Sequence, residues 1–271
     1  MADQDEDKVA WSECTASRVR SVADRDGSVA VVPTGSVEQH GDHLPVATDT
    51  ILAEAVTHAA ADRVSADLPV LVAPPVSTGF SPHHCSFGGT LSLARETLAR
   101  FLEDIATSAV SEGFDVVLFV NGHRGNNPIV ESAIGTVGAT NPERAVAGLT
   151  YFDLAASSIE EIRQTDTGGM SHAGEFETSL MLHCRPDLVD EDRYVAEYRD
   201  EPHECGVHDM FDSGPLSRYR SFTEYTDSGV VGDPTKASAD AGGALFRHVV
   251  SELADVLREF HDTEGASSGD L

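Results

Sequence analysis

Short apolar runs rich in β-branched residues alternate with helix-patterned segments along the first half of the chain, and this alternation constrains the fold more than any other feature. Residues 28–33, 68–75, 115–120 and 145–152 read as buried strands. Residues 50–63, 95–112 and 127–137 read as helices; in the first, Ile51, Leu52, Ala55, Val56 and Ala59 fall at helical spacing. Gly113 ends the second helix as a C-terminal glycine, and Pro128 sits in the first turn of the third. Such alternation predicts βαβ units, hence an α/β fold with a mostly parallel sheet. Ligands of such sheets collect at the carboxyl ends of the strands.

The rest of the chain is less regular. Residues 76–91 read as a long loop, broken by Gly79, Pro82, Gly88 and Gly89. From 160 to 240 the pattern weakens into loops, interrupted by a helix near 175–183, and 242–260 reads as a final helix. Neither an internal repeat nor a linker marks a second domain. The expected organisation is an acidic N-terminal extension at 1–24, a single catalytic domain at 25–260 and a disordered tail at 261–271.

Charge excludes several partners. The net charge is −28, from 46 acidic residues against 18 basic ones, of which only Lys8 and Lys236 are lysines. That field repels nucleic acid and anionic membranes. The acids are scattered rather than blocked, which suits a cytoplasm of molar salt, where screening acts within about 3 Å. No apolar run approaches the roughly 18 residues of a membrane span. Cys14, Cys85, Cys184 and Cys205 show no paired spacing and read as free thiols of a cytoplasmic protein.

Two segments at strand ends carry the chemistry. In 35–50, Glu38 and His40 lie two residues apart, on one face if the chain stays extended, and Asp49 follows at a helix start. In 121–127, His123 sits in a glycine-flanked turn beside Arg124. Two carboxylates and two imidazoles suit a divalent Zn, Mn or Fe ion. Taken singly, Asp49 also reads as a helix cap and Glu38 and His40 as loop residues. A third segment, 171–180, offers His172 as a proton shuttle. Glu177 reads as a fifth metal ligand or a base, with Glu175 as the alternative for that role, and both suit the first turn of a helix. In the central loop, Ser81, His83 and His84 are candidate substrate contacts. Arg124 and the arginines after Arg185 are candidates to hold a phosphate or carboxylate, or else ordinary surface ion pairs.

The motifs Gly35-Ser36-Val37-Glu38-Gln39-His40-Gly41-Asp42-His43-Leu44-Pro45 with Thr48-Asp49-Thr50, Asn121-Gly122-His123-Arg124-Gly125-Asn126, and His172-Ala173-Gly174-Glu175-Phe176-Glu177-Thr178-Ser179 resemble those of the creatininase (creatinine amidohydrolase) family. So do Gly79-Phe80-Ser81-Pro82-His83-His84 with Gly88-Gly89-Thr90, and Gly229-Val230-Val231-Gly232-Asp233-Pro234, giving five motifs in order over roughly residues 25 to 250.

The resemblance implies a three-layer α/β/α sandwich, a homohexamer and two divalent metals per chain. It implies one metal on Glu38, Asp49 and His123, and a second on His40 and the shared Asp49. A metal-bound hydroxide would attack the carbonyl carbon of a small amide or formamide, with His172 passing a proton to the leaving nitrogen.

Two departures turn the resemblance away from creatininase itself. That enzyme carries a second-metal glutamate two residues after the histidine of the second motif, where this chain has Gly125; Glu177 is the expected replacement. It also uses late tryptophans around its substrate, whereas Trp11 is the only tryptophan here. Other branches deformylate a formylamino-pyrimidine ribotide or trim a redox-cofactor precursor peptide. The formamide reading is slightly preferred. An open cleft would favour the peptidase, and arginines beside the metals a phosphorylated ribotide. A metal-binding scaffold without catalysis is the rival from another class.

Overall fold

The computed structural model describes residues 8–267. Its centre is a four-stranded parallel sheet of β1 (Val29–Thr34), β2 (Val70–Val72), β3 (Val116–Asn121) and β4 (Ala145–Thr150), in the order β2-β1-β3-β4. β1 and β3 run in register from Val29 opposite Val116 to Thr34 opposite Asn121, so both strands end at the same level. A separate antiparallel pair joins β5 (Met170–His172) to β6 (Val231–Gly232).

Alternate side chains of the central strands enter different layers, as the pleat requires. Val29 and Val31 of β1, with Val116, Leu118 and Val120 of β3, share a core with α2 (Thr48–Val64), the short α5 (Ile159–Ile162), α6 (Glu175–Cys184) and α7 (Ala239–Ser267). Ala30, Val32, Val117 and Phe119 face α1 (Ala16–Ala23), α3 (Arg95–Glu112) and α4 (Asn127–Thr140). With both faces covered, β1 and β3 are buried at every position, which explains their continuous apolar runs. Each fully buried Leu or Val there contributes about 1.5–3 kcal/mol. The result is the α/β/α sandwich. The α3 boundaries match the sequence expectation, and Gly113 closes that helix with φ 112°, a conformation costly for any other residue.

The two ends of the chain differ from expectation. Residues 1–24 are not a detached extension where they are described. Val9 accepts a backbone hydrogen bond from Val72, Trp11 packs on Phe114 at 5.1 Å, and Val19, Val22 and Ala23 of α1 are buried in the core. Their apolar spacing outweighs the acidic leader. Nor do residues 261–267 form a loose tail: they continue α7, and His261 Nδ1 donates to the Gly27 carbonyl at 3.0 Å. Residues 268–271 lie outside the described set. No helix among the described residues is long and apolar enough to cross a membrane.

Candidate metal centre

Four elements deliver the donors to one point. Glu38 and His40 follow the end of β1, Asp49 lies in the first turn of α2, and His123 follows the end of β3. Glu177 enters from the first turn of α6. All five are buried. Ligand atoms of Glu38, Asp49 and His123 lie within 4.8 Å of one another, as do those of His40, Asp49 and Glu177. Asp49 belongs to both groups. Its Oδ1 is 3.1 Å from His40 Nε2 and its Oδ2 is 3.3 Å from His123 Nδ1. His123 Nδ1 is also 3.1 Å from Glu38 Oε2, and His40 Nε2 is 3.8 Å from Glu177 Oε1.

The surroundings aim these atoms. His40 Nδ1 donates to the Glu38 carbonyl at 3.1 Å, which leaves Nε2 facing the carboxylates. His123 Nε2 donates to the Phe80 carbonyl at 3.2 Å, which leaves Nδ1 facing them. Glu177 Oε2 accepts from the Ala173 amide at 2.6 Å, freeing Oε1 for the site. Ala173 has φ 54°, the left-handed region, at a cost of about 1–2 kcal/mol. That local strain turns its amide toward Glu177. At Gly125 a Cβ would meet His123 Nε2 at 2.3 Å and the Phe80 oxygen at 2.9 Å, so no side chain fits this turn. Glu177 stands where the second donor group needs its third member.

The donor set fits divalent ions. His40 Nε2 and Asp49 Oδ2 are buried and, despite their close neighbours, make no well-aligned hydrogen bond, an unfavourable arrangement that a bound cation relieves. Burial works against ionisation of Glu38, but the facing imidazoles of His123, His84 and His172 outweigh it and hold the carboxyl well below its usual range. Glu177 is also lowered, with His40 overcoming its burial. Burial likewise opposes the charged forms of His40 and His123. The Asp49 and Glu177 carboxylates nevertheless raise His40 well above its usual value, and Glu38 and Asp49 raise His123 to about 10. The carboxylates therefore draw positive charge, and a cation bound to these imidazoles would displace their protons.

His172 differs. Burial and the charge of His40 lower it, so its neutral form is favoured. Its Nε2 donates to the Gln39 carbonyl at 2.7 Å, and its Nδ1 lone pair lies 3.8 Å from Glu38 Oε1. His84 lines the same cavity. Gln39 Nε2 donates to its Nδ1 at 2.9 Å, leaving Nε2 facing Glu38 Oε1 at 3.4 Å.

The remaining candidates separate. Ser81 is fully buried behind the ligands, donating to Glu38 Oε2 and lying 3.1 Å from His123 Nε2. It contacts the donors from behind and does not line the cavity. Glu175 points away from the site, accepting from the Gln164 and Thr165 amides at 2.7 and 2.9 Å and from Thr165 Oγ1 at 2.7 Å. It holds a loop and is not part of the cavity lining. Arg124 lines the cavity, stacked on Phe152 at 4.9 Å and donating to Asp153 and the Met210 carbonyl.

Gln39 is the residue that sequence reasoning passed over. Its amide donates to His84 and to the Gly229 carbonyl, and its own carbonyl fixes His172. Its place between two candidate ligands was the available signal. The donors form the floor of a cavity of about 550 Å³, walled by Phe80, His83, Phe222 and Tyr225.

Comparison with known proteins agrees with this geometry. The creatininase family, described as creatinine amidohydrolase, matches residues 12–257. A mycofactocin precursor peptide peptidase of Mycobacterium ulcerans (strain Agy99) is 36% identical over 227 residues, covering 82% of this chain and 81% of its own. The creatinine amidohydrolase of Pseudomonas putida is 29% identical over 245 residues, covering 85% and 89%. A solved creatininase described as the Mn form matches with a TM-score of 0.80 at 27% identity, over 93% of this chain and 98% of that one.

Proposed function

This chain belongs to the creatininase family, and we propose that it is a metal-dependent amidohydrolase that cleaves an amide C–N bond in a peptide. Family homologues are hydrolases of amide C–N bonds. The observation that carries the metal chemistry is Asp49, shared by two buried donor groups at the floor of one cavity. Support for a peptide over a small formamide comes from the relative at 36% identity, which is named for a precursor peptide; the cavity of about 550 Å³ has room for either.

Glu38, Asp49 and His123 would hold one divalent ion, and His40, Asp49 and Glu177 the other. Such a pair, when bound, supplies an activated water and polarises the scissile carbonyl. His172 takes a proton at Nδ1, where its lone pair faces the floor, and returns it to the leaving nitrogen. The Gln39 carbonyl keeps the opposite nitrogen protonated. Phe222 packs on His84 and His172, at ring separations of 4.2 and 5.2 Å, and keeps water from that side. The acidic excess belongs to the same reading, as adaptation to molar salt.

The test is digestion of a peptide library by Zn- or Mn-loaded protein in high salt, read by mass spectrometry, for wild type and His172→Gln. The expected result is cleavage at one class of amide, reduced about 10²- to 10⁴-fold in the variant with metal content unchanged. Absence of peptide cleavage alongside turnover of a small formamide would replace the peptidase reading. Full turnover by H172Q would remove the shuttle.

A further inference from the structure

The few basic residues of this acidic chain are unevenly placed. Four of its 18 lysines and arginines (Arg124, Arg199, Arg218 and Arg220) line the cavity above the donor floor. Apart from the proposed metal ligands, the acidic residue lining that cavity is Asp209. Its carboxylate is already engaged by Arg163 and by the Gly168 and Phe211 amides, each at 2.9 Å.

Two of the four arginines are held by the protein itself. Arg220 donates to the Asp200 and Glu224 carbonyls at 3.0 and 3.2 Å, with Tyr225 beneath it at 4.5 Å. Arg124 is spent on Asp153 and Met210. The other two keep unused donors. Arg199 also lies over Tyr225, at 5.1 Å, with its side chain only 14% exposed. Its Nε is buried without a hydrogen-bond partner, and its ion pair to Glu201 is long, at 3.7 Å. Arg218 contacts His203 Nε2 at 3.3 Å and pairs with no carboxylate among the described residues.

We propose that Arg199 and Arg218 form a subsite for an anionic group, a carboxylate or a phosphate, on the part of the substrate that is not cleaved. The proposal rests on the amidohydrolase reading only in putting the scissile bond at the floor. A guanidinium suits the task in concentrated salt. Screening weakens attraction between point charges, whereas paired N–H donors to an oxyanion keep their geometry. Tyr219, 85% exposed on the rim between Arg218 and Arg220, offers an aromatic surface beside that group.

The experiment is calorimetric titration of metal-loaded protein with acetyl-aspartate amide, acetyl-phosphoserine amide and the neutral acetyl-asparagine amide. Each is repeated on Arg218→Gln, Arg218→Lys and Arg199→Gln, with metal content measured in parallel. At least one anionic probe should bind about tenfold or more tightly than the neutral one. R218Q should lose that preference at unchanged metal content, and R218K should regain part of it. Preference for the aspartate probe identifies a peptide carboxylate as the source; preference for phosphoserine identifies a phosphorylated substrate. Equal binding of the neutral probe, or no binding by either anion, overturns the proposal. A preference that survives both R218Q and R199Q also overturns it, because the anion then sits on the metals. R218Q, at an exposed position, decides the matter even if R199Q fails to fold. The readout is binding alone, so failure of the peptidase reading in the cleavage assay leaves this result separately interpretable.

Discussion

Glu38, Asp49 and His123 stand where β1, α2 and β3 converge, whereas Arg199, Arg218 and Arg220 are carried by residues 185–230, where among the described residues short 3-10 turns and isolated bridges replace regular helices and strands. Backbone hydrogen bonds and a buried core hold the floor from both layers. Among the described residues the rim has only isolated backbone bridges, such as Glu197 with Gly232, and leans on side chains: Tyr225 under two guanidiniums, and the Glu197 carboxylate gathering Thr226, Asp227 and Ser228. A floor of this kind can hold donor atoms to the fractions of an ångström that a catalytic site needs. A rim of this kind can change its substrate without disturbing the sheet.

The comparison can be broken at its strongest point first. Asp49→Asn removes the charge shared by both donor groups. Turnover should fall on the order of 10³-fold or more, and elemental analysis should show clear loss from about two metals per chain. Two retained metals would show that the groups do not depend on a common ligand.

Glu177→Ala tests the second group alone. Metal content should drop from about two to about one, with turnover reduced at least about 10- to 100-fold. Glu175→Gln should leave both metals in place, since that carboxylate binds the 164–165 loop. A reversed pattern would exchange the roles of the two acids.

Stability separates floor from rim next. Leu118, fully enclosed in β3, should cost about 2–5 kcal/mol as Leu118→Ala in urea unfolding. Tyr219→Ala on the rim should stay within about 0.5 kcal/mol. Similar costs would mean that the rim is part of the folding core.

The smallest effect concerns pH. Burial opposes ionisation of Glu197, but hydrogen bonds from Ser228, Thr226 and the Asp227 amide outweigh it and lower its pKa. A lowered carboxylate contributes stability above its unfolded value, near about 4.3, and loses it as pH falls through the folded value. Limited proteolysis by an acid-active protease should therefore open residues 226–229 below about pH 4. Glu197→Gln should remove that pH dependence at a cost of about 1 kcal/mol or less. Opening at the same pH in E197Q would assign the change to other groups.

How much of this was legible depends on the range of the interactions involved. Strand and helix identity follows from local periodicity, so the pattern gives 95–112 to the residue and three of the central strands to within two residues, whereas β2 is only Val70–Val72 of the expected 68–75. The donors Glu38, His40, Asp49 and His123 were readable because they sit in short motifs at strand ends. Residues 9–23 were misread as an extension because the acidic leader masked the apolar spacing of Val19, Val22 and Ala23.

Glu175 and Glu177 show the limit most plainly. Both belong to the first turn of α6, but two residues on a helix lie about 200° apart. One therefore meets the metal site and the other a loop. Nothing local says which. Ser81 and Gln39 were equally open, since their roles depend on partners 42 to 190 positions away. The amino-acid order alone determined the α/β alternation and the donor chemistry, because both rest on short-range pattern. Tertiary packing alone decided which acid enters the site, and that scattered arginines share the cavity with the metal donors, because those juxtapositions exist only once distant segments close on the ends of β1 and β3.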